Sequence, residues 1–191
     1  MAGIFHTYCG LFLPPLARTG QPCFSTHVNN AERTILGLAQ RQHGAICRRQ
    51  ALECGMSGRS IDHRLASGEW VRVFQGAYRL AGTECTWEQK AMAGVLAAGV
   101  GAVASHRAAA ALHGMPGAPR WAEVTVTRPR QVQVEGLIAH QTRLLAPGDA
   151  GRLSGIPVTT PGRTIADLAR VYSTAKLGPM LDHALARRLV G

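Results

Sequence analysis

Six arginines fall between positions 48 and 79, at 48, 49, 59, 64, 72 and 79, interleaved with Gln50, Ser57, Ser60, His63 and Gln75. Guanidinium groups pair bidentately with phosphate and with the guanine edge, and Gln, Ser and His add hydrogen bonds to bases or backbone. The chemistry on offer is recognition of a nucleic acid. Arg59, Ser60 and His63 are the candidates for base-edge contacts, with Ser57 beside them and Arg64 for phosphate or base. Arg48, Arg49 and Gln50 are the candidates for the duplex backbone, near the start of a helix whose free N–H groups also favour phosphate. Arg72 and Arg79 suit phosphate or the minor groove, with Gln75 at a turn between them. A plainer reading stands beside these: Arg64 or Arg72 could pair with Asp62 or Glu69, and Arg59 and His63 could be solvated helix positions.

Such contacts need rigid elements behind them, and the periodicity supplies them. Residues 31–43 place Ile35, Leu38 and Ala39 on one side, with Asn30 as cap and Gly44 as stop, which predicts a first helix. Residues 47–54 predict a second, with Ala51 and Leu52 inward. A turn at Cys54-Gly55-Met56 leads to Ser57, the expected cap of a third helix that buries Ile61 and Leu65 and ends at Gly68. The period then changes to two. Residues 70–74 and 77–80 read as strands about Gln75-Gly76, with Trp70, Val73 and Tyr78 as packing residues rather than base-stacking platforms. Three helices and a hairpin predict a winged helix-turn-helix, whose third helix is presented to a major groove about 12 Å wide.

Composition agrees. Among 191 residues, 21 Lys+Arg oppose 11 Asp+Glu for a formal +10, yet 46% are hydrophobic, which excludes a disordered basic tail. Lys90 and Lys176 are the only lysines, so the charge is almost all arginine. Residues 31–82 hold eight arginines against four acids, a net +4. The five cysteines, Cys9, Cys23, Cys47, Cys54 and Cys85, have no CxxC spacing and read as reduced thiols of a cytoplasmic protein. Cys47 and Cys54 are expected in the core rather than on a metal. No apolar run reaches the length of a membrane span. Residues 1–30 carry no sustained period; the charged start of a signal peptide is lacking, and an irregular arm is expected.

Residues 83–191 read as a second, α+β unit. Thr86 should cap a helix over 87–98, and Ser105 one over 108–113 that stops at Gly114. Alternation over 123–127, 132–134 and 137–140 predicts a small antiparallel sheet, with 157–159 as an edge strand. Helices are expected over 162–172 and 177–189, the latter burying Leu177, Leu181, Leu185 and Leu189. The polar residues here include His106, Arg107, His140, Arg143, Asp149, Arg163, Asp167 and His183, but acids are sparse and Lys176 has no adjacent acidic pair, as a nuclease would need. Ser105-His106 and Thr159-Thr160 are expected to cap helices and bond backbone around the sheet. No catalytic residue, cofactor or metal is predicted. Arg163 and Asp167 are expected on the helix surface or bridging to the sheet.

The run over 35–82 resembles the N-terminal domain of AbiEi-type antitoxins and related actinobacterial transcriptional regulators. The matching positions are Gly44, Ile46, Arg48, Gln50 and Ala51, then Ile61, Arg64, Leu65, Gly68, Trp70, Val73, Gly76, Ala77 and Tyr78. Segments 105–115, 123–130, 136–143 and 155–170 resemble the region C-terminal to that domain in the same proteins. The resemblance implies a sequence-specific regulator of its own promoter in a toxin–antitoxin operon, bound to duplex DNA with inverted half-sites as one arrangement. Longer relatives continue into a further C-terminal segment, so a chain stopping at Gly191 is expected to be the regulatory part without nuclease activity. A cognate toxin is a second candidate partner, although type IV antitoxins need not touch theirs. The alternative is an interaction module acting mainly through residues 83–191. A monomer in solution, or a weak homodimer on DNA, is expected because no coiled coil specifies a dimer.

Overall fold

The structure, a computed structural model, describes residues 30–190. The arm expected over 1–30 lies outside the described residues except for Asn30. Helix α1 (Asn30–Arg41) buries Ala31, Ile35 and Ala39 at four-residue intervals, one face of a helix. Asn30 is its first residue rather than its cap, and it stops before His43, where His43 and Gly44 adopt positive φ of 55° and 81°. Strand β1 (Ala45–Cys47), helix α2 (Arg48–Glu53), helix α3 (Gly58–Ala66), strand β2 (Trp70–Phe74) and strand β3 (Ala77–Leu80) come next.

The three strands form an antiparallel sheet in the order β1-β3-β2, with Ile46 opposite Tyr78 and Trp70 opposite Leu80. Ile35, Ile46, Ala51, Met56, Ile61, Trp70 and Tyr78 make one core, against which Cys54, Leu65 and Leu80 pack. Ser57 caps α3 as the sequence predicts, its Oγ accepting from Ser60 N at 3.1 Å. Gly76 turns the hairpin at φ 76°, a left-handed conformation that a side chain would strain. Two expectations fail. Strand β1 is an addition to the expected elements, since three apolar residues carry no readable period, and Leu52 is 47% exposed because the short α2 turns only Ala51 inward.

Helix α4 (Trp87–Ala98), capped by Thr86, buries residues on nearly every side: Gln89, Ala91, Met92, Ala93, Gly94, Val95 and Ala98. It does so because it packs against both sheets, and its small residues permit the approach. A Cβ on Gly94 would come within 3.0 Å of Leu137. Beyond it lie strand β4 (Val103–Ala104), helix α5 (His106–Leu112), strands β5 (Glu123–Thr127), β6 (Ile138–Thr142), β7 (Ala150–Leu153) and β8 (Ile156–Thr159), and helices α6 (Pro161–Leu168) and α7 (Thr174–Ala186). The chain is therefore a mixed α+β protein.

The second sheet, in the order β6-β5-β4-β8-β7, is mixed rather than antiparallel: β6 runs parallel to β5 and β8 parallel to β4. The physical reason lies in residues 128–137. The expected strand over 132–134 is irregular; Val132 and Val134 pack against the core, so their alternation records packing of a loop that carries the chain back to start β6 in parallel. Strand β8 is interior rather than an edge. Helix α5 starts at His106 rather than at 108, and α6 ends at Leu168 rather than at 172. Helix α7 ends at Ala186 rather than at 189, leaving Leu189 38% exposed beyond it, and Leu181 and Leu185 are 38% and 52% exposed because α7 turns Met180 and Ala184 inward instead, with Leu177 at the margin.

The first sheet meets α4 near Gly44. Gln89 Nε2 donates to the His43 carbonyl and to Thr83 Oγ1, both at 2.9 Å, and a Cβ on Gly44 would lie 2.9 Å from that nitrogen. Gly44→Ala should therefore destabilise the chain by about 1–3 kcal/mol in a urea titration. Gly148→Ala, where a Cβ meets nothing within 4 Å, should stay within about 0.5 kcal/mol. Equal midpoints for the two variants would contradict this packing.

Candidate nucleic-acid interface

The third helix presents one row to solvent. Arg59, Asp62, His63 and Ala66 are exposed on α3, while Ile61 is wholly buried and Leu65 half-buried. The side chains of Arg59 and His63, and of Arg72 and Gln75 on β2 and its turn, are exposed and make no hydrogen bond or ion pair among the described residues, although the charge of Arg72 helps hold the Asp62 carboxyl down. Ser60 is half-buried. The pairing of β2 with β3 shifts between Arg72 and Phe74, a bulge beside Arg72.

The other predicted residues are engaged within the fold. Arg48 donates to both oxygens of Asp62, at 2.6 and 3.3 Å, and this hydrogen bonding holds the Asp62 carboxyl below its ordinary value. Arg49 pairs with Glu53 four residues on at 2.6 Å. Gln50 Oε1 accepts from Cys47 N at 3.1 Å, closing the start of α2, and its amide donates to Gln42 Oε1 at 2.7 Å. Arg64 bridges Glu32 and Glu69, tying α3 to α1. Arg79 Nη1 donates to the Thr83 carbonyl at 3.3 Å, and Ser57 is spent on its cap. The plainer reading thus holds for Arg64, whereas Asp62 pairs with Arg48 rather than with Arg64 or Arg72.

Asp62 is a further candidate that residue type alone does not single out. It stands in the exposed row three residues after Arg59, and a carboxylate there can accept from a cytosine amino group. Its spacing is the signal that marks it.

A second polar cluster lies under β5 and β6. Glu123, its side chain wholly buried, accepts from the Arg107 backbone at 3.0 Å, from Arg107 Nη1 at 3.1 Å and from His140 Nε2 at 2.6 Å. The ring of His140 stacks on His106 at 3.6 Å, and His106 Nδ1 lies 3.0 Å from Ser105 Oγ, which accepts from Thr125. Ser105 thus occupies the cap position of α5 without making the expected cap bond. His106 itself has φ 50°, a strained value for a non-glycine residue. Thr160 resembles Ser105 in making no side-chain cap bond; its hydroxyl donates instead to carbonyls of the β7 approach, as expected for bonding around the sheet.

A cavity of about 340 Å³ opens beside the rings, lined by His106, Thr125, His140, Arg163, Asp167 and Arg170 among others. Arg163 bridges Asp167 and Asp149 at 2.9 and 2.7 Å, leaving Asp167 Oδ2 buried and without a partner. Of the two expected placements, surface or bridging to the sheet, Arg163 takes the second by reaching Asp149 beside β7, and Asp167 is buried rather than on the surface. Ring nitrogens of both histidines and a Glu123 oxygen lie within 4.8 Å of one another, a spacing that could hold a metal. Local sequence patterns do not group these three, because Glu123 and His140 share a face only in the parallel register that sets Thr125 opposite His140.

Residues 33–81 match the family model described as transcriptional regulator, AbiEi antitoxin, a family of regulatory antitoxins. No curated protein matches the chain. The crystal structure of the RV2827C protein from Mycobacterium tuberculosis is similar in fold, at 15% identity and a TM-score of 0.50, over 82% of this chain and 67% of that one. Among the described residues no helix is long and apolar enough to cross a membrane.

Burial, and then the neighbouring His140, push His106 down from 6.5 to about 4. Burial pushes Glu123 up, but the hydrogen bonds from His140 and Arg107 outweigh it and hold the carboxyl below its ordinary 4.5. The folded chain thus prefers neutral His106, while the unfolded chain protonates it from about pH 6.5 downward. Stability should be complete above that pH and fall towards pH 4, with Glu123 adding to the loss below the carboxylate range. Asp167 opposes the His106 shift and Arg107 reinforces it. In chelator-containing buffer, His106→Gln should flatten the fall of the urea midpoint between pH 6.5 and 4.5; an unchanged slope would exclude His106 as its source.

Proposed function

We propose that the chain is a sequence-specific double-stranded-DNA-binding transcriptional regulator, with residues 31–82 as a winged helix-turn-helix and α3 as the recognition helix. The observation that carries this reading is the unpartnered pair Arg59 and His63 on the outward row of α3, with Arg72 and Gln75 exposed on the adjoining hairpin. The order helix, strand, helix, helix and two-stranded hairpin, with α3 packed on β2 through Ile61 and Trp70, supports it. The match to a regulator family over the same residues supports it further.

Arg59 reads a guanine edge, His63 and Asp62 read neighbouring bases, and Ser57 and Ser60 lie at the helix end nearest the duplex. Arg48 and Arg49 contact phosphate; the exposed pairs Arg48–Asp62 and Arg49–Glu53 are worth little in water, so exchanging either carboxylate for phosphate costs little and frees Asp62 to accept from a base. Arg72, Gln75 and Arg79 track the backbone or minor groove. Gln50 and Arg64 act through the fold, holding α2 and α3 in place. The target is the chain's own upstream promoter, in the manner of an autoregulating antitoxin, and a toxin encoded beside it is the second partner. Residues 83–191 carry no catalytic step in this reading.

Arg59→Ala should weaken operator binding by about 1–3 kcal/mol, roughly fivefold to 150-fold, and leave random duplex nearly unchanged. Arg49→Ala should weaken both about equally and reduce the slope of log affinity against log salt by about one. Equal, weak binding of operator and random duplex by the wild-type chain would sink the proposal.

A further inference from the structure

We propose that His106, Glu123 and His140 form a binding site for a divalent transition-metal ion of the zinc class, facing the cavity that Asp167 also lines. The site does not depend on the DNA-binding reading. Imidazole and carboxylate together suit zinc and its neighbours rather than magnesium or calcium, which take oxygen alone. One nitrogen from each ring and one Glu123 oxygen already lie within 4.8 Å of one another, and all three come from elements fixed by the β5–β6 ladder and the start of α5.

The surroundings are those of a ligand site. Ser105 engages Nδ1 of His106, and in the tautomer that donates Nδ1–H to Ser105 the Nε2 lone pair is free for an ion. Arg107 orients the Glu123 carboxylate as an outer partner does, through its backbone N–H on Oε2 and its guanidinium on Oε1 at 3.1 Å, so that an ion would share Oε1 with that donor. The short His140 Nε2 to Glu123 contact is where an ion would take the place of a proton, which is released to solvent. His140 stands on the edge strand β6 and is partly exposed, so its ring can turn off the stack to direct its nitrogen at the ion.

A second, independent observation points the same way. Asp167 Oδ2 is buried in the wall of this cavity with no donor, while its other oxygen is taken by Arg163. A buried acceptor left bare costs about 1–3 kcal/mol, more when charged, and an ion or its bound water supplies what it lacks. The strained φ of His106 belongs with this, since such strain gathers where a side chain must be aimed.

The test uses the full chain without an affinity tag, stripped with a chelator and titrated with Co²⁺ and then Zn²⁺. One equivalent of Co²⁺ should give visible d–d bands without a near-ultraviolet thiolate band, and Zn²⁺ should displace it. Zn²⁺ should also raise the melting temperature and protect His140 from carbethoxylation, a readout that needs no variant. Glu123→Gln and His140→Gln should each lower affinity at least tenfold and abolish the melting shift. Failure to bind either ion, a thiolate band, unaltered binding in both variants, or carbethoxylation of His140 that Zn²⁺ leaves unchanged would overturn the proposal.

Discussion

Everything offered at the surface of α3 depends on one buried side chain. Ile61 is wholly enclosed, and it is the only residue of that nine-residue helix that is. Burying an isoleucine is worth about 1.5–3 kcal/mol, enough to fix which face of a short helix turns inward. Its neighbours Ile46, Trp70 and Tyr78 come from all three strands of the first sheet, so the same contact sets the helix against the hairpin. Arg64 then fastens the helix at its other end through Glu32 and Glu69, adding direction to a contact that has none of its own. With Ile61 inward, helical geometry leaves Arg59, Asp62 and His63 outward.

The second constraint is the sharing of α4. A helix buried on nearly all sides cannot be built mainly from large residues when it lies between two sheets, and the four alanines and one glycine among residues 91–98 meet that need beside Met92 and Val95. The larger core accordingly contains Phe74 and Ala77 of the first sheet together with Val124, Val126 and Val158 of the second. Gln89 ties α4 to the chain on either side of the first sheet, donating to the His43 carbonyl before β1 and to Thr83 after β3, and Gly44 leaves room for it. The histidine cluster sits at the far side of the second sheet, on α5, β5 and β6, apart from the α3 row in sequence and in supporting elements.

Much of the first sheet and its helices is legible in the sequence because local signals coincide there: Ser57 before a helical period, Gly76 between two alternating runs, Trp70 and Tyr78 at inward positions. Elements of two or three residues, β1 and β4, are not, since no period fits into them. Val132 and Val134 alternate as strand residues do but pack from a loop, and Leu181 and Leu185 stand four residues apart on the outside of α7, with Leu189 exposed beyond its end. Alternation shows that a face exists without saying which element covers it. The candidate interface residues are legible by type and not by partner: hydrogen bonding within the fold has already claimed Gln50, Arg64 and the Ser57 hydroxyl. Glu123, His106 and His140 require the parallel register, a long-range property that no local window contains.

If the outward row of α3 and the adjoining hairpin form the surface that meets duplex DNA, binding should leave its mark on their backbone amides. The decisive measurement titrates the isotope-labelled chain with a duplex from its own upstream region and tracks amide shifts residue by residue. The largest changes should fall at 57–66 and 71–79, with residues 105–142 little moved. Changes confined to residues 83–190, with α3 silent, would rule out α3 as the recognition helix.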